Sequence, residues 1–100
     1  METKRTSDMY LTALDKVLSK RYSHNTYSLN GYQESSVCME LEDDGWIVFN
    51  GERGNSYDVV ECDTILKACS EFIRKMTHST EDISLMENEL LDGLTNSKRA

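Results

Sequence analysis

Three cysteines, two histidines and eighteen carboxylates are the side chains of this 100-residue sequence that chemistry would call on. A zinc site needs Cys or His pairs a few residues apart. Here the closest pair, Cys62 and Cys69, has six residues between them, so the spacing argues against a metal. A covalent mechanism would have to assemble Cys38 or Cys62 with His24 or His78, a pairing that any chain with these residue types permits. Cys69 falls on the apolar stripe of a helix and reads as a small packing residue. His78 sits near a helix C-terminus, where a cation favours the helix dipole. An odd number of cysteines in a chain with no secretory signal reads as free, reduced, mostly buried thiols, and the expectation is a cytoplasmic protein.

Two glycine-bearing turns also invite a chemical reading. Gly51-Glu52-Arg53-Gly54 joins two strands instead of leading into a helix, and it carries an acid, so it is not a phosphate cradle. It reads as a solvated turn with a local Glu52–Arg53 ion pair, Arg53 being structural. Asp43-Asp44-Gly45 lacks the alternating acids and the closing glutamate of a calcium loop. No cofactor is expected. Paired carboxylates working as acid and base need a concave, partly dry setting, whereas these acids sit on turns and strand surfaces.

The acids are informative through their distribution. Net charge is −7, and residues 34–63 hold nine acids against one base, Arg53, whereas the segments on either side are close to balance. Such an excess excludes nucleic acid as the favoured partner and points to something basic. The plainer explanation is that an acidic sheet keeps a small protein soluble and blunts its strand edges.

The acids are positioned by an antiparallel meander. Val37–Glu42, Trp46–Asn50 and Tyr57–Glu61 are short apolar runs separated by Asp43-Asp44-Gly45 and by Gly51–Asn55, the hairpin signature. Val37, Met39 and Leu41 alternate with Cys38, Glu40 and Glu42, which predicts one buried face and one wet face. Trp46–Phe49 is apolar on both faces and predicts the central strand, covered on each side. Before the meander, helical spacing of Tyr10, Leu14, Val17 and Leu18 predicts a helix from Ser7 to about Tyr22, started by Thr6, Ser7 and Asp8. An Asn30-Gly31 pair suggests a type I′ turn between Thr26–Leu29 and Tyr32–Glu34. After the meander, Asp63 or Thr64 caps a helix to about Met76, with Ile65, Leu66, Cys69, Phe72, Ile73 and Met76 as its stripe. Ser79 or Thr80 starts a last helix, with Ile83, Met86, Leu90 and Leu94 facing inward, ending near Gly93; residues 96–100 would fray. The sum is one α+β domain spanning residues 1–100, a meander of three to five strands with an N-terminal helix and two C-terminal helices. No run is long enough to cross a membrane.

The segment Gly45–Met76 resembles small bacterial immunity proteins, the antitoxins encoded beside contact-dependent growth-inhibition and other polymorphic toxins. The resemblance lies in Trp46 opening a strand, the Glu52-Arg53-Gly54 turn, the strand Tyr57–Glu61 ending in an acid, and Ala68-Cys69 in the following helix. It covers about a third of the chain. It implies a protein without enzymatic activity that binds a toxin domain and blocks its active site; many such toxins are nucleases, and an RNase is the expectation. The resemblance carries over no catalytic residue and no binding position. The binding residues come from the charge pattern: Glu40, Glu42, Asp43, Asp44, Glu52 and Asp58, presented where a basic nuclease cleft holds phosphates. The expected partner is thus a basic toxin domain, met by a monomer, with neither nucleic acid nor membrane involved. Two other readings are an acidic adaptor or chaperone for a basic protein, and a small enzyme with a Cys nucleophile.

Overall fold

Trp46-Ile47-Val48-Phe49 lies within the strand Gly45–Glu52 (β3), and its apolar character on both faces dictates how the rest is arranged. In the computed structural model, which describes residues 4–43 and 45–99, β3 pairs antiparallel with Ser36–Glu42 (β2) on one side and with Asn55–Cys62 (β4) on the other. A two-residue strand, Tyr27–Ser28 (β1), extends the sheet by pairing parallel to β2 at Val37 and Cys38. Strand order is β1-β2-β3-β4. The helices are Lys4–Ser19 (α1), Ile65–Met76 (α2) and Thr80–Arg99 (α3).

Alternation sorts the strand residues. Met39, Trp46, Val48 and Cys62 face the helices and join one core with Leu14, Leu18, Ile65, Phe72, Ile73, Met86 and Leu90. α2 lies across β2, β3 and β4, whereas α1 packs on α3 and α2. Thr64 caps α2, its hydroxyl accepting from the Lys67 amide at 3.2 Å, which satisfies one of the free donors of the first turn. Ser79 does the same for α3 through the Asp82 amide at 3.3 Å. Tyr27 ties the segment before the sheet to the helices: its ring meets Phe72 edge-on at 6.4 Å, and its hydroxyl donates to Asp15 at 2.8 Å. An Arg21–Glu89 pair with bonds of 2.6 and 3.2 Å clips the end of α1 to α3, the kind of partly exposed ion pair that contributes up to about 1 kcal/mol.

Several sequence expectations are corrected. The type I′ geometry belongs to Arg53-Gly54, both at positive φ (53° and 79°), while Asn30 has none; residues 29–35 form a loop and not half of a hairpin. The β3–β4 turn is thus two residues long, and Glu52 and Asn55 pair as strand residues. α1 begins by Lys4 and ends at Ser19. α3 passes through Gly93 to Arg99: a Cβ at Gly93 would stand an ordinary 3.5 Å from the Ala13 Cβ, so the glycine is a helix-interior position facing α1 and not a cap. Leu66 is exposed and Ala68 takes its place in the α2 stripe. Leu41, on the alternation that buries Met39, is 64% exposed.

Phe72 is fully buried at the meeting of α2, the sheet and Tyr27. Phe72→Ala is expected to cost about 3–5 kcal/mol in chemical denaturation, because a cavity remains where the ring was. Gly93→Ala, in contrast, should raise stability by about 0.5–1 kcal/mol, since alanine favours the helix and Ala13 leaves it room.

Candidate functional site

The second face of the sheet is covered at one end only. There, Phe49 and its cross-strand partner Cys38 are buried, although neither belongs to the helix-facing core. The loop 29–35 passes over Cys38 at Gln33, whose amide donates to the Cys38 sulfur at 3.3 Å. Its passage explains Gly51, where a Cβ would stand 2.6 Å from the Gln33 carbonyl and 3.2 Å from the Cys38 sulfur. Glu34 fixes the loop to the β3–β4 turn: its carboxylate accepts from the Arg53 amide at 2.7 Å and the Gly54 amide at 3.3 Å, and from the Tyr32 hydroxyl. The Tyr32 oxygen also accepts from the Gly54 amide at 2.6 Å. An arginine held at left-handed φ costs on the order of 1 kcal/mol, and these bonds to the turn offset it. The Tyr32 hydroxyl, then the Arg53 amide, holds the Glu34 carboxyl below the usual carboxylate range. No ion pair joins Glu52 and Arg53 among the described residues, which corrects that expectation; the turn is anchored by its backbone.

Beyond this covered end the face is open. Ladder pairing sets Glu40 opposite Ile47 and Ile47 opposite Glu61, so a row of carboxylate, isoleucine and carboxylate crosses three strands. The outer Cα atoms are about 10 Å apart at ordinary strand spacing. Glu42 follows on the same face of β2, and Asp43 begins the turn; all four acids are exposed. None of them has a hydrogen bond or ion pair among the described residues. The other predicted site residues fall elsewhere. Glu52 is at the opposite end of β3, beside the stapled turn. Asp58 occupies a β-bulge at φ 51°, where the Asn50 amide nitrogen donates to it at 3.3 Å. Asp44 lies outside the described residues. Glu61 was not among the expected site residues, yet the register was the missing signal: it falls out once Ile47 is placed opposite both strands.

Between this end of the sheet and α2 lies a cleft of about 820 Å³. Its wall mixes Glu42, Glu61 and Glu71 with Lys67 and Arg74, and Asp63 already holds Lys67 at 2.9 Å. All three cysteines are free and buried. Burial pushes the Cys38 and Cys62 thiols up, away from the thiolate that a nucleophile requires. No helix among the described residues is long and apolar enough to cross a membrane. No family model matches this chain, and no curated protein or solved structure is significantly similar to it.

Because the folded state lowers the Glu34 pKa, the staple is fully present above the ordinary carboxylate range and is lost as pH falls through the lowered folded value. Glu34→Gln should speed hydrogen exchange at the Arg53 and Gly54 amides about tenfold or more at neutral pH. It should also expose to alkylating reagents the Cys38 thiol, which is buried in the parent. Unchanged exchange in the variant would show that the loop is held without Glu34.

Proposed function

We propose that this protein is a non-catalytic inhibitor of the immunity-protein kind, which blocks a basic protein partner by laying carboxylates into its cleft. A toxin nuclease, with an RNase foremost, is the partner that fits best. The observation that carries this reading is the Glu40–Ile47–Glu61 row with Glu42 beside it, on an exposed stretch of the sheet and with no side-chain hydrogen bond or ion pair to these acids among the described residues. Acids engaged inside the fold would be spent on stability, as Glu34 is at the turn and Glu89 is with Arg21. These acids are not.

A nuclease cleft concentrates Lys and Arg to hold phosphates. Carboxylates spaced along strands can meet those cations, and Ile47 between them supplies an apolar contact from which water is excluded. Rim carboxylates act mainly by steering encounter, whereas an acid desolvated against a partner cation acts on dissociation. The raised thiol pKa values of Cys38 and Cys62 support the absence of a cysteine nucleophile in this reading.

The test is protection of a bacterial host against the toxin domain encoded beside this gene. The parent should restore growth, and the triple variant Glu40→Gln, Glu42→Gln, Glu61→Gln should fail to do so at an unchanged melting temperature. Each neutralised acid that is desolvated in the complex should cost about 2–5 kcal/mol of binding, while Glu52→Gln, at the far end of β3, should cost little. Full protection by the triple variant would rule out the open face as the inhibitory surface.

A further inference from the structure

A second concavity opens at the same end of the sheet, on the side of the helices. It is a groove of about 940 Å³ between the first turns of α1, the loop at 29–31 and the end of β2. Its floor is apolar, made by Leu11, Leu29, Met39, Leu41 and Trp46. Leu41, 64% exposed, is the most exposed large hydrophobic side chain among the described residues, although its cross-strand partner Trp46 is buried. The groove's rim is made of acids: Asp8, Glu40, Glu42 and Asp43, with Asp63 engaged by Lys67. Among the described residues, no Lys, Arg or His lines it. The cleft next to α2 differs in carrying Lys67 and Arg74.

We infer that this groove receives an amphipathic basic segment of a protein partner, one that seats an apolar side chain on Leu41 and Trp46 and sets Lys or Arg against the rim on both sides. The inference rests on the inhibitor reading above and adds to it a second contact surface, reached around the free end of β2 from the open face. Charge decides between occupants. A second copy of this chain, with a net charge of −7, would bring acid against acid. An uncharged apolar segment would leave the four rim carboxylates facing it without partners. A basic segment answers both the floor and the rim, and an apolar anchor between charges is how short segments gain affinity in such grooves.

Trp46 is the only tryptophan of the chain and lines both this groove and the cleft next to α2, so its emission reports binding at this end of the sheet and Leu41, which lines the groove alone of the two, assigns it. The probe is a tryptophan-free peptide of about fourteen residues alternating Lys with Leu, titrated into the full chain. Saturable change in Trp46 emission is expected, with oligolysine of the same length binding about tenfold more weakly for want of the apolar anchor. Leu41→Ser, at a side chain already exposed and so harmless to the fold, should weaken the alternating peptide by a similar factor, whereas Leu85→Ser on α3 should not. If Leu41→Ser binds as tightly while Glu61→Gln weakens binding, the peptide sits on the open face: the groove assignment falls and the inhibitor reading stands. If no basic peptide binds, the groove assignment falls, and the inhibitor reading is decided by the protection assay alone. A concentration-dependent change in Trp46 emission without peptide, accompanied by dimerisation, would assign the groove to a second copy and overturn the inference.

Discussion

A strand that is apolar on both faces must be covered twice, and β3 is that strand. α2 covers Trp46 and Val48, completing the helix-facing core. Phe49 is buried on the other face, beside Cys38, which the loop 29–35 covers at Gln33. Much of the local chemistry is a consequence of that arrangement. Gly51 has no side chain because Gln33 passes over it; Arg53 accepts a left-handed conformation because Glu34 holds the turn; Cys38 is sealed beneath and its thiol pushed up. Where the loop stops, cover stops. Ile47 is then left half-buried between Glu40 and Glu61, whose carboxylates form no ion pair among the described residues.

The acids of residues 34–63 therefore do different work despite forming one charge block in the sequence. Glu34 and Asp63 are engaged within the fold, by the turn amides and by Lys67. Asp58 satisfies a bulge through Asn50. Glu40, Glu42, Asp43 and Glu61 gather at one end, where like charges raise the local field and lower the barrier to meeting a cationic surface. Net charge could not make that division, because it depends on which carboxylates find donors far away in the chain. Glu34 is 19 residues from the amide it holds.

The same distinction governs what was legible. Period-two alternation and short turns give β2, β3 and β4 because each signal is local. The Thr64 cap and the apolar stripe give α2 for the same reason. Reading failed where a residue type has two uses. Glycine ends helices and also sits inside them, so Gly93 reads as a stop although α3 continues; Asn-Gly favours a tight hairpin turn, yet residues 29–35 are required as a cover. Alternation places Leu41 on the inner face of β2 but cannot say whether it is covered, and here it is exposed. Glu61 needed the register across three strands before it could be grouped with Glu40.

In the proposed function, carboxylates at this end of the sheet that form no ion pair among the described residues drive recognition of a basic partner. The direct test is stopped-flow measurement of the association rate with a basic toxin domain of the proposed kind as salt is raised. The account predicts a rate towards 10⁸ M⁻¹s⁻¹ or so at low ionic strength that falls to about 10⁵–10⁶ M⁻¹s⁻¹ once charges are screened. The Glu40→Gln, Glu42→Gln, Glu61→Gln protein should begin slower and show a flatter salt dependence. An association rate indifferent to salt, or equally steep in the parent and the neutralised variant, would contradict it.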